Sequence, residues 1–190
     1  ESLDAPGGSM TGSTDATDVE GQIDMLLKVV PTAKTVGIFY NSSEVNSEVQ
    51  ADQAKQALEA KGVKVEVATV TSTNDVQQTM TSLAAKVDAI YLPTDNTVAS
   101  TASTIGEILQ EAKVPAMGSD AAVIDATLFT YGVDYHAIGV QAGELAVKIL
   151  KGDKPADLPV EKPNTAAVTV NEEMATALGF DAETIKALEK

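Results

Sequence analysis

The fold is decided by residues 36–47, which read Val36-Gly37-Ile38-Phe39-Tyr40-Asn41-Ser42-Ser43-Glu44-Val45-Asn46-Ser47. The first five residues lack polar alternation, which is typical of a strand covered on both faces in a parallel sheet. The run then stops in a polar cluster, and Ser47 with Gln50 has the spacing of a capping box ahead of a helix. Because ligands of open α/β sheets bind beyond the carboxyl ends of the strands, we expect the functional site at residues 41–47.

The rest of the chain continues the alternation of strand and helix. Residues with helical periodicity separate the apolar and β-branched runs, and strands are predicted near Val36, Val63, Ala89 and Val114. This order predicts an α/β fold, a Rossmann-like parallel sheet flanked by helices with right-handed crossovers. One helix is predicted after residue 96, and a long helix over 136–151 precedes a proline-containing linker and a final strand.

The composition excludes several classes of function. The 190 residues include 13 basic and 28 acidic side chains, a formal net charge of −15, and no arginine. Because arginine is the usual reader of phosphates and guanine edges, we expect no nucleic-acid partner. The absence of cysteine excludes disulfides and thiolate metal sites. The chain opens at Glu1 without an initiating Met, which indicates a processed chain or an excised fragment.

Polar clusters follow three of the predicted strands, and they should meet at one edge of the sheet. Hydroxyl and amide donors beside carboxylates suit a zwitterion such as an amino acid, because backbone N–H groups and hydroxyls can hold its carboxylate while an acidic side chain holds its ammonium group. The alternative is that the same residue types serve only as helix caps and turn formers. The candidate ligand-binding residues are Asn41, Ser42, Ser43, Glu44, Asn46, Asp95, Asn96 and Asp120.

Enzymatic and metal chemistry find little support in the sequence. His136 is the one histidine, and neither a Ser-His-Asp set nor a histidine metal site can be built around it. No glycine-rich nucleotide motif is present. We therefore expect no catalytic residues, no cofactor and no metal. An enzyme that uses Asp95 or Asp120 as acid or base stays open as an alternative.

Three stretches carry a family resemblance. They are residues 34–47, residues 87–96 and residues 131–135; the latter two read Val87-Asp88-Ala89-Ile90-Tyr91-Leu92-Pro93-Thr94-Asp95-Asn96 and Tyr131-Gly132-Val133-Asp134-Tyr135. They resemble the substrate-binding proteins of ABC transporters with the type I periplasmic-binding fold, in the branch that binds tryptophan or related amino acids. The resemblance runs from about Ala5 to Lys190.

The resemblance implies a function for the whole protein. It implies an extracytoplasmic protein, free in the periplasm or lipid-anchored, that captures a small solute between two lobes and delivers it to an ABC permease in the membrane. The best candidate solute is an amino acid, and an aromatic one such as tryptophan fits the branch. A ligand-sensing regulatory domain of the same fold is the alternative.

The resemblance also implies a division of the chain into parts of two lobes. Residues 1–14 would be an interlobe crossover, and residues 15–135 would form the C-terminal ligand-binding lobe. Residues 136–164 would belong mainly to an absent N-terminal lobe, and residues 165–190 would return to the C-terminal lobe. The apolar stripe of helix 136–151 would then need another partner in this fragment, either its own sheet or a second chain in a dimer.

Overall fold

The described strands form one sheet, which lies at the centre of the larger part of the chain. The computed structural model describes residues 2–163 and 166–189. The strands are β1 (Thr35–Asn41), β2 (Lys64–Val70), β3 (Ala89–Leu92), β4 (Ala116–Gly118), β5 (Phe129–Val133) and β6 (Ala166–Val170). Their order in the sheet is β2-β1-β3-β4-β5-β6. All neighbours from β2 to β5 pair in parallel, so the predicted α/β fold with a parallel sheet is confirmed.

Helices connect these strands. They are α1 (Val19–Val29), α2 (Val45–Ala60), α3 (Val76–Ala84), α4 (Asn96–Ser100), α5 (Ala102–Ala112), α6 (Tyr135–Leu150), α7 (Glu172–Leu178) and α8 (Ala182–Lys186). The single helix predicted after residue 96 is wrong, because the chain leaves the helical region at Thr101, where φ is −117° and ψ is 14°. The Thr101 hydroxyl donates to the carbonyl of Thr97 at 2.7 Å, which stabilises this break.

Strand β1 is buried on both faces of the sheet. Along β1, Ile38 packs in the core beneath α1 and α2, whereas its neighbour Phe39 packs in the core beneath α3 and α5. Both side chains are fully buried. Successive side chains of a strand point to opposite faces, so an apolar run without alternation is what a doubly covered strand requires. The interpretation of residues 36–40 as such a strand is confirmed.

The capping box predicted at Ser47 and Gln50 is wrong. Helix α2 begins at Val45, with Glu44 as its N-cap residue, so Ser47 is already the third helical residue. The hydroxyl of Ser47 donates to the carbonyl of Thr94, and the amide oxygen of Gln50 accepts from the N–H of Thr94. Both side chains therefore bind the loop after β3 instead of capping their own helix.

The chain divides into two compact units. One consists of residues 1–17 with 133–167, and the other of residues 18–132 with 168–190. In the first unit, Ser13 forms a parallel bridge with Glu161, and the Ser13 hydroxyl donates to the carbonyl of Ile138. The assignment of residues 1–14, 15–135, 136–164 and 165–190 to parts of two lobes stays a prediction, and the boundary between residues 164 and 165 lies outside the described residues.

Helix α6 of the first unit is largely uncovered. Among the described residues of this unit, only Val133 and Leu145 are buried. Several apolar side chains of α6 are half-exposed or more, and Leu150 is 86% exposed. In the part of the chain that the structure describes, no helix combines the length and apolar character that crossing a membrane needs.

Candidate functional site

Glu44 joins the loop after β1 to the loop after β3. Its Oε2 accepts from the backbone N–H of Asn96 at 3.0 Å and from the Asn96 side-chain amide at 2.8 Å. Its Oε1 accepts from the N–H and the hydroxyl of Thr97 at 3.2 and 3.3 Å. Partial burial opposes ionisation of Glu44, but these hydrogen bonds outweigh it and hold the pKa of the carboxyl below its usual range. Glu44 thus binds the first turn of α4 as a carboxylate.

Asp95 makes a second connection between the same loops. Its Oδ2 accepts from the N–H of Asn41 at 2.8 Å, and its Oδ1 accepts from the N–H of Val98 at 2.9 Å. Asp95 is 3% exposed. The buried Asn41 side chain adds bonds to the Thr97 hydroxyl and from the N–H of Ser43, both at 2.8 Å. Asn41 and Asp95 therefore hold the two loops in place, and little of the Asp95 carboxylate is accessible to a ligand.

Other predicted residues lie on the surface at the edge of the sheet where the strands end at their carboxyl termini. The Nδ2 of Asn46 donates to the carbonyl of Thr94 at 2.9 Å, which brings the start of α2 against the loop after β3. The N–H of Ser42 donates to the carbonyl of Val70 at the end of β2. The predicted residues with exposed side chains are Ser42, Ser43, Asn46 and Asn96.

Asp120 follows β4 and stands apart from this group. Its Oδ1 accepts from the N–H of Ala122 at 2.7 Å and caps the 3-10 turn Ala121–Ala126. Its side chain is half-buried. The structure thus brings together Asn41, Glu44, Asp95 and Asn96, and places Asp120 at the next strand end without a described hydrogen bond to them.

Thr94 is the central residue of the edge. Of its partners in α2, Asn46 is a predicted site residue, whereas Ser47 and Gln50 are predicted only to cap the helix. Its carbonyl accepts from Asn46 and Ser47, its N–H donates to Gln50 at 2.8 Å, and its hydroxyl lies 2.9 Å from the hydroxyl of Ser119. The only sequence signal for Ser47 and Gln50 was their spacing of three residues, which equally fits two side chains on one face of a helix.

Two hydrogen bonds of the buried Gln22 join β3, α1 and β5 beneath this edge of the sheet. The hydroxyl of Tyr91 donates to Oε1 of Gln22 at 2.7 Å, and Nε2 of Gln22 donates to the carbonyl of Tyr131 at 2.7 Å. Burial raises the pKa of the Tyr91 hydroxyl well above its usual range, and a hydrogen bond with Ser119 offsets only part of this rise. Tyr91 therefore stays neutral and donates to Gln22 over the whole physiological pH range.

The polar groups at this edge are neutral N–H and O–H donors and carboxylates. The ion pairs found among the described residues join Lys61 to Asp24, Lys64 to Glu66, Lys148 to Glu161, and Lys186 to Glu172 and Glu183. None of these lysines hydrogen-bonds a candidate residue in the described part of the chain. An anionic group bound at this edge would be held by N–H and O–H groups.

Comparison with known proteins identifies similar chains. Residues 1–186 match the family model described as ABC transporter substrate binding protein. A tyrosine-binding protein of Clostridioides difficile (strain R20291) is 32% identical over 179 residues, which are 94% of this chain and 52% of that protein. The chain spans about half the length of the curated relatives that it matches.

Two solved structures show the same similarity. The ABC domain from Streptococcus pneumonia in complex with L-Trp matches with a TM-score of 0.86 and 37% identity, over 100% of this chain and 66% of that one. A ligand-free, open substrate-binding protein with adhesive properties from Clostridium difficile matches with a TM-score of 0.82 and 37% identity, over 95% of this chain and 62% of that one.

Proposed function

Because the chain belongs to the family of ABC transporter substrate-binding proteins, we propose that the edge formed by the ends of β1, β3 and β4 binds an amino acid, best an aromatic one such as tryptophan or tyrosine. The family predicted from residues 34–47, 87–96 and 131–135 is confirmed. Its members bind substrates and are not enzymes, so the enzymatic alternative is set aside.

One observation carries the proposal for this edge. Glu44 and Asp95 fasten the loops after β1 and β3 to each other, so the exposed donors on the two loops have fixed positions. Fixed donors lose little conformational entropy when a ligand binds. A preorganised polar edge at the carboxyl ends of parallel strands is where open α/β sheets bind small molecules.

The candidate residues have two roles in this proposal. Ser42, Ser43, Asn46 and Asn96 have exposed side chains and contact the solute, whereas the buried Asn41 and Asp95 and the half-buried Glu44 position the loops. Asp120 is the acidic candidate for the solute's ammonium group, because one of its carboxylate oxygens has no described partner.

The proposed function includes parts that the curated relatives carry and this chain does not match, since the chain covers 52% of them. We propose that the protein is extracytoplasmic, free or lipid-anchored, and delivers its solute to an ABC permease. Residues that the relatives carry outside the matched part would contribute further solute contacts. They would also cover the apolar side chains of α6, of which Val140, Val147 and Leu150 are exposed. A dimer through α6 is the competing arrangement, and size-exclusion chromatography of the 190-residue chain and of the protein in its longest form distinguishes the two.

Ligand-induced stabilisation tests the proposal. The protein in its longest form is heated with L-tryptophan, L-tyrosine, L-phenylalanine or, as a control, D-arabinose. Binding to the native state alone raises Tm, so we expect a rise with at least one aromatic amino acid and none with the sugar. No rise with any amino acid would contradict the proposal. We expect weak or undetectable binding by the 190-residue chain alone, and a sub-micromolar Kd for it would contradict that expectation.

A further inference from the structure

We infer that Gln50 is a ligand-contact residue of the proposed site, where its side-chain N–H groups donate to the carboxylate of the bound amino acid. The inference rests on the proposed function and adds to it a donor that lies outside the loops first considered. Gln50 lies in the second turn of α2 and is half-buried. Three features of its surroundings carry the inference: a fixed orientation, an unused donor and the absence of a cation.

The orientation of the Gln50 amide is set by its partners. The backbone N–H of Thr94 is 2.8 Å from Oε1 of Gln50, and a backbone N–H can only donate, so the atom facing it must be the oxygen. The hydroxyl of Ser119 lies 3.4 Å from this oxygen and 2.9 Å from the hydroxyl of Thr94. Ser119 is 1% exposed, so the oxygen is enclosed between the ends of two strands. The Nε2 atom must therefore point away from Thr94.

The donor end of the Gln50 amide is unused and accessible. None of the described residues accepts a hydrogen bond from Nε2 of Gln50. In the described part of the chain, the side-chain atoms that are buried without a partner are Thr17 Oγ1 and Gln141 Oε1, so Nε2 of Gln50 is reachable from solvent. An amide with its oxygen anchored and its two N–H groups free is a preorganised donor for an acceptor group.

A carboxylate is the acceptor that fits this donor. The chain has no arginine, and no described lysine hydrogen-bonds the residues of this edge. Neutral donors must then carry carboxylate recognition, and hydrogen bonds to a charged acceptor are stronger than those to a neutral one. The exposed Ser42 and Ser43 lie on the adjoining loop. Gln50 would add a donor from the helix that Asn46 and Ser47 fasten to Thr94.

An isosteric substitution isolates the donor. Gln50→Glu keeps an oxygen facing Thr94 but replaces the N–H groups by a second oxygen. Gln53→Glu adds the same charge to an exposed position of the same helix and serves as the matched control. NMR titration of the 15N-labelled chain with millimolar L-tryptophan and L-tyrosine measures weak affinities. The side-chain amide signals of Gln50 are assigned by their loss in Gln50→Glu.

The expected result has three parts. The Gln50 side-chain signals shift on titration and those of Gln53 do not. Gln50→Glu weakens binding at least about tenfold, because a donor to a charged acceptor is replaced by a like charge. Gln53→Glu binds as the parent chain does, and the two variants have equal Tm without ligand.

Three results would overturn the inference. If the backbone signals of Ser42, Ser43 and Asn96 shift while Gln50 does not, and Gln50→Glu binds normally, Gln50 makes no contact although the proposed function stands. If Gln50→Glu lowers Tm well below that of Gln53→Glu, its role is structural. If no signal shifts with either amino acid, the inference fails for this chain, whereas the proposed function is decided by the Tm of the protein in its longest form.

Discussion

Glu44 accepts hydrogen bonds from both the backbone and the side-chain amide of Asn96, at 3.0 and 2.8 Å. Glu44 is the N-cap residue of α2, and Asn96 is the first residue of α4. The carboxylate before one helix therefore satisfies donors at the start of the other. This contact makes the loops after β1 and β3 one structural element, on which the proposed site depends.

Removal of the Glu44 carboxylate should destabilise the protein. Glu44→Ala leaves the donors of Asn96 and Thr97 without their acceptor, and hydrogen bonds to a charged group contribute about 1.5–3 kcal/mol. Because the residue is only partly buried and water can replace some of these bonds, we expect a loss of about 1–2 kcal/mol in the free energy of unfolding. Urea denaturation measures this loss.

The exposed Glu48 of the same helix is the control. Glu48→Ala should change the free energy of unfolding by no more than about 0.5 kcal/mol, as most surface substitutions do. Equal effects of the two variants would show that Glu44 acts through charge or helix propensity alone.

The contribution of Glu44 should depend on pH. The folded-state pKa of its carboxyl is lowered from the ordinary value of 4.5, so the unfolded chain binds the proton more tightly. The stabilisation is therefore complete above pH 4.5 and is lost as the pH falls through the lower folded-state value. The difference in unfolding free energy between the parent chain and Glu44→Gln should be largest at neutral pH and should shrink steadily as the pH falls below 4.5. If this difference instead grows as the pH falls, the pKa of Glu44 is raised in the folded state and the prediction is wrong.

Asp95→Asn should be more damaging than its small change in size suggests. Both carboxylate oxygens accept backbone N–H groups, so whichever position the new amide nitrogen takes, two donors face each other in a buried place. A buried unsatisfied donor costs about 1–3 kcal/mol, and a fall in Tm reports it. Asp52→Asn, at an exposed position of α2, is the control and should leave Tm nearly unchanged. If the two variants have the same Tm, Asp95 does not hold the two loops in place.

Tyr91→Phe should destabilise the protein by removing the buried hydrogen bond between Tyr91 and Gln22. The substitution removes the only described donor to Oε1 of Gln22, which is 1% exposed, and leaves this oxygen without a partner. We expect a loss of about 1–3 kcal/mol in the free energy of unfolding. Tyr40→Phe is the matched control, since Tyr40 is buried but its hydroxyl makes no described hydrogen bond. A Tyr91→Phe protein as stable as Tyr40→Phe would mean that water replaces the hydroxyl.

The elements were largely predictable because their signals are local. Asp18 caps α1 through the N–H of Gly21, and Pro31 follows the end of that helix, as expected from the residue types. Gly62 and Gly179 follow α2 and α7 with φ of +75° and +79°, a conformation that favours glycine. The burial of β1 on both faces followed from its unbroken apolar run. Each of these signals lies within a few residues of the structure it specifies.

The sequence by itself determined the alternation of strands and helices and the edge where polar residues collect. Only the tertiary structure decided the partners of those residues. Gln50 and Thr94 are 44 residues apart, and Glu44 and Asn96 are 52 apart, so no local pattern relates them. Parallel pairing of β1 with β3 brings their following loops together, and this proximity turns Ser47 and Gln50 from an expected capping box into supports of the neighbouring loop.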